Sequence, residues 1–120
     1  KYATAKQTPD AAYWLGVAYA ANGQCKETIT THTAFAAKHP NHAKAPDAMR
    51  NVGNCQRDLG DVPAARVTWG KLIKLYPSSD ASAKAKQQLA SLIDITLQWM
   101  QKGFAAVFAS LGINLALSDR

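Results

Sequence analysis

Apolar positions along this chain recur at the spacing of a helix. The plainest stripe is Ala85, Leu89, Leu92/Ile93, Leu97 and Met100, and a second, Phe104, Val107/Phe108, Leu111 and Leu115, follows it. Upstream, proline and glycine cut the pattern into further helices. Pro9 and Asp10 predict a start and Asn22-Gly23 a stop, giving a first helix from Asp10 to about Ala21. A second runs from about Gln24 to Lys38 and ends before Pro40. A polar linker, His39 to Ala45, leads to Pro46-Asp47, which open a third helix ending at Leu59-Gly60. The fourth begins near Val62-Pro63 and ends before Tyr76-Pro77. Pro77-Ser78-Ser79-Asp80 cap a fifth. Leu97 stands where this helix would meet its stop glycine, so it is expected to continue to about Lys102.

The same signals return every 37 residues. Asp10-Ala11-Ala12-Tyr13-Trp14-Leu15-Gly16 aligns with Asp47-Ala48-Met49-Arg50-Asn51-Val52-Gly53, Asn22-Gly23-Gln24 with Leu59-Gly60-Asp61, and Lys38-His39-Pro40 with Leu75-Tyr76-Pro77. A fixed period of this size marks a solenoid, in which helical hairpins joined by short glycine turns stack and share a core. The chain opens inside a repeat, with Lys1-Tyr2 in the place of Lys38-His39, so a preceding segment bearing any targeting signal is expected.

Composition agrees with one all-α domain, because Ala dominates the apolar residues and Val and Ile are sparse. The net charge of +6 is spread without a run of four basic residues, which suits an acidic protein partner, an anionic polymer or simple solubility.

Leu15-Gly16 followed by Tyr19 and Pro40, and Val52-Gly53 with Ala65, Trp69 and Pro77, resemble the tetratricopeptide repeat. Thr28 and His32 depart from the small and aromatic residues that pattern expects in the first repeat. One branch is closer. Pro9-Asp10-Ala11-Ala12-Tyr13-Trp14-Leu15-Gly16, Ala43-Lys44-Ala45-Pro46-Asp47-Ala48, Leu59-Gly60-Asp61, Tyr76-Pro77-Ser78-Ser79 and Ala85-Lys86-Gln87-Gln88-Leu89 look like the C-terminal domain of the periplasmic CpoB/YbgF family of the Tol-Pal system. The likeness covers residues 1 to about 90.

That resemblance implies a right-handed superhelix of stacked hairpins. The expected repeat domain spans residues 1–102, with repeats at about 10–40 and 47–77 and a helix at about 81–102, followed by an apolar extension at 103–120. It further implies a non-enzymatic periplasmic adaptor whose protein partners are TolA and a bifunctional peptidoglycan synthase, and which links outer-membrane constriction to peptidoglycan synthesis in cell division. The alternative is a scaffold of another envelope or secretion assembly. Binding is expected on a concave face lined by the first helix of each hairpin. Register places Tyr13, Val17, Ala20 and Ala21 there, then Arg50, Asn54, Arg57 and Asp58, then Lys84, Gln87 and Ser91.

The remaining chemistry is sparse. Cys25 and Cys55 admit two readings: a disulfide between adjacent helices in an oxidising compartment, or two small buried apolar residues. His32, His39 and His42 have no Cys, Asp or Glu close by to complete a metal shell, so no metal or other cofactor is expected. Asp58 and Asp61 read as helix-end and cap residues, and no nucleophile-base ordering or phosphate loop occurs, so catalysis is not expected. Lys71, Lys74, Lys84 and Lys86 with Arg50 and Arg57 lack interleaved aromatics, which argues against nucleic acid. Gly103 to Ser118 carry no charge, yet the segment is too short to span a bilayer comfortably. A helix capping the solenoid, a self-association patch and contact with a membrane surface are the three readings of it.

Overall fold

Thr8 begins the first helix: its Oγ1 accepts a hydrogen bond from the Ala11 amide at 3.1 Å, and Pro9 follows at the first helical position. The computed structural model describes residues 8–92. Its elements are α1 (Pro9–Ala21), α2 (Cys25–Lys38), α3 (Ala45–Asp58) and α4 (Val62–Leu75). Residues 80–92 are helical as well. Among the described residues there is no strand. The chain forms two compact units, Lys1–Lys86 and Gln87–Arg120, and α1 to α4 lie in the first. The expected continuation to about Lys102, the extension at 103–120 and the opening Lys1-Tyr2 fall outside the described residues.

The 37-residue repeat is a repeat of backbone geometry. Both hairpins turn at a glycine with positive φ, 76° at Gly23 and 93° at Gly60. In each, the next amide reaches back to the carbonyl five residues earlier, Gln24 to Tyr19 and Asp61 to Gln56, both at 2.8 Å. Residues bearing a Cβ rarely adopt that φ, which is why glycine stands at both turns. His39 and Tyr76, also 37 apart, end α2 and α4 with near-identical φ of −130° and −131°.

Packing repeats with the same register. Phe35 and Leu72 are buried in the last turns of α2 and α4, each contributing about 1.5–3 kcal/mol. Around Phe35, a core of Tyr13, Ala45 and Ala48 joins the first hairpin to α3, with Ala12, Val17 and Tyr76 against its edge. The alanines let α2 and α3 approach closely. Ala81, Ser82 and Ala85 are buried in their turn, and the Ser82 hydroxyl donates to the Leu72 carbonyl at 3.1 Å. Ser82 and Ala85 stand in the register positions of Ala45 and Ala48, so residues 80–86 begin a third unit of the stack.

Thr28 and His32, the departures in the first repeat, are accommodated without loss of the pattern. The Trp69 indole N–H reaches the Arg50 carbonyl, and His32 Nε2 reaches the Tyr13 carbonyl at 2.7 Å, the equivalent bond one repeat earlier. A Cβ at Gly16 would fall into the His32 ring and one at Gly53 into the Trp69 indole, so each glycine makes room for the ring that crosses it. Thr28 stays small enough to bury, and its hydroxyl bonds to the Gly16 carbonyl at 3.2 Å.

Candidate protein-interaction face

The outward stripe of α1 is Asp10, Trp14, Ala18 and Ala21, at i, i+4, i+8 and i+11. Tyr13, expected on the binding face, is instead a core side chain, 7% exposed. Its ring stacks on His32 at 5.0 Å and tilts against Phe35 at 5.8 Å. The cause is rotation by one residue: position 13 turns inward over α2, and Trp14 takes the outer place. Trp14 is 55% exposed, edge-on to Tyr13, with the Lys44 ammonium 5.8 Å from its ring. Its partner 37 residues on, Asn51, is instead half-buried, with its amide toward His32 Nδ1. Val17 is half-buried against the core cluster.

On α3, Arg50, Asn54 and Arg57 are half-buried. The Arg57 guanidinium pairs with the neighbouring Asp58 at 3.1 Å and lies 5.8 Å from the Trp69 ring. Lys84, on the helical stretch that follows, faces Asp80 at 3.4 Å. Gln87 and Ser91 are exposed in the second unit. Much of the expected cationic character of this face is therefore met by carboxylates of the chain itself.

The histidines serve the scaffold. His32 is buried, and burial holds its pKa below the ordinary imidazole value, partly opposed by the bond to the Tyr13 carbonyl. Since a carbonyl accepts, Nε2 carries the proton, leaving Nδ1 toward the Asn51 amide at 3.5 Å. His42 Nδ1 accepts from the Lys44 amide at 2.9 Å, so its Nε2–H donates to Asp10 at 2.6 Å, tying the linker to the start of α1. His39 packs near Phe35. Among the described residues, no three His, Cys, Asp or Glu side chains converge as a metal site would require. The Tyr13 phenol has a raised pKa, chiefly from burial and then from Asp47, against an Asn51 hydrogen bond and the Arg50 charge.

A family model described as tetratricopeptide repeat matches residues 10–42 and 47–79, which are the two hairpins α1–α2 and α3–α4. The chain belongs to the tetratricopeptide repeat family. Such repeats are protein–protein interaction modules. No curated protein matches the chain.

Cys25 and Cys55 join the two tetratricopeptide repeats. They form a disulfide with Cα atoms 5.1 Å apart, between the first residue of α2 and the last turn of α3. Their register counterparts are Val62 and Ala18, so the bridge is peculiar to this junction and is no part of the repeat pattern.

Proposed function

We propose that the chain is a protein–protein adaptor of the cell envelope, working in the periplasm. The observation that carries this reading is the Cys25–Cys55 bridge across a repeat junction, since disulfides persist in oxidising compartments and are rare in reducing ones. The resemblance of segments such as Tyr76-Pro77-Ser78-Ser79 to the CpoB/YbgF family supports the Tol-Pal system as its setting. On this reading its partners are TolA and a bifunctional peptidoglycan synthase, and its role is to coordinate outer-membrane constriction with peptidoglycan synthesis during division. The chain presents Trp14, Arg50, Asn54 and Arg57 on the side of the first helices, where an exposed tryptophan beside a lysine is the type of side chain that anchors interfaces.

Pull-down from an envelope extract with the intact protein tests the reading. Recovery of TolA and the synthase is the expected result. Recovery of a different envelope or secretion assembly would transfer the adaptor to that assembly, and recovery of no partner would contradict the adaptor role.

A further inference from the structure

The two sides of the hairpin stack differ in charge. The first helices, α1 and α3, carry Asp10, Asp47 and Asp58 against Arg50 and Arg57, a net of −1. The second helices, α2 and α4, carry Lys26, Lys38, Arg66, Lys71 and Lys74 against Glu27, a net of +4. Within α4 there is no acid at all. Among the described residues, no ion pair involves Arg66, Lys71 or Lys74, whereas Arg57 and Lys84 already face carboxylates. An acidic partner is therefore drawn to the side of α2 and α4, opposite the one on which the first helices lie.

That side also holds an apolar recess. Both α2 and α4 pack on α3 but not on each other, leaving a groove of about 670 Å³ floored by α3. Its walls include Ala36 and Ala37 from α2, Met49 from α3, and Val67, Lys71 and Leu75 from α4. Val67 and Leu75 are 60% and 62% exposed, although the core of α4 is already filled by Ala65, Trp69 and Leu72.

We propose that this groove binds an acidic amphipathic helix supplied by a protein partner. The α4 wall from Ala64 to Leu75 is about 16 Å long, or three helical turns, which matches apolar anchors at i, i+4, i+7 and i+11. The alanine wall of α2 allows a helix to come close. Lys71 inside the groove, with Lys38 and Lys74 on the same two helices, meets carboxylates flanking those anchors. Aliphatic walls suit leucine-like side chains better than nucleobases, which stack on aromatic or guanidinium platforms. The inference rests on the adaptor reading and gives it a second surface, apart from the face that bears Trp14.

Fluorescence anisotropy with the intact chain tests it. The probe is a labelled helical peptide of about 18 residues, with Leu at the four anchor positions and Glu beside them; a twin has every Glu replaced by Lys. Saturable binding of the acidic peptide is expected, weakened roughly tenfold or more by Lys71→Glu and by Val67→Glu. A charge-matched change outside the groove, Lys86→Glu, should leave affinity within about twofold. Both groove positions are exposed, and circular dichroism of each variant checks that it folds. Absence of saturable binding, equal affinity for the Lys twin, displacement by single-stranded DNA, or indifference to both groove substitutions would overturn the proposal. The adaptor reading fails separately: it falls if the wild-type chain captures no envelope partner, whatever the peptide does.

Discussion

His32 shows how one side chain can serve the scaffold while making it sensitive to pH. In the unfolded chain its imidazole titrates near 6.5, and burial holds the folded value lower. Between those two values the unfolded state binds more protons, so stability is complete above pH 6.5 and declines as pH falls below it. Thermal melts from pH 7.5 to 5 should show that decline, and His32→Phe should make it shallower; an unchanged slope would remove His32 as its source. Gly53 makes the steric counterpart. A Cβ there meets the Trp69 indole, which is fully buried. Gly53→Ala should therefore cost about 1–3 kcal/mol by overpacking, measured by urea unfolding, and a neutral result would mean that the indole relocates.

At the scale of elements, the helix boundaries were legible because they are set by local chemistry. Proline near the start and a positive-φ glycine after the end bound α1 and α3, and the sequence reading placed those limits within a residue or two. The face that each helix turns outward was harder to read. Tyr13, Trp14, Leu15 and Val17 crowd α1 with apolar residues, so no single stripe stands out and Tyr13 is easily mistaken for Trp14. The groove was hidden for a different reason: Val67 and Leu75 look like core residues, and alanines give a weak periodic signal. Capping supplies a direct check at this scale. Asp61 Oδ1 accepts from the Ala64 amide at 3.2 Å, whereas Gln24, its counterpart before α2, makes no side-chain cap. Asp61→Ala should cost about 1 kcal/mol in a denaturant melt, while Gln24→Ala stays within about 0.5 kcal/mol. Equal losses would show that the cap does not matter.

For the molecule as a whole, the repeats account for the stacking and the disulfide for its hold on one junction. A tetratricopeptide array is stabilised chiefly by contacts between neighbouring units, so a covalent tie between α2 and α3 acts where cooperativity is transmitted. Closing a loop with a sequence separation of 30 residues should add roughly 3–4 kcal/mol by restricting the unfolded chain. The sequence left this pair open between a bridge and two buried thiols, because spacing alone does not show which helices meet. The packing of α2 on α3 brings Cys25 to Cys55. The most direct test of a stapled adaptor in an oxidising compartment is alkylation of the natively produced protein under denaturing conditions without reductant, read by mass spectrometry. The account predicts that neither cysteine is labelled until reductant is added. Two labelled thiols in the unreduced protein would contradict it.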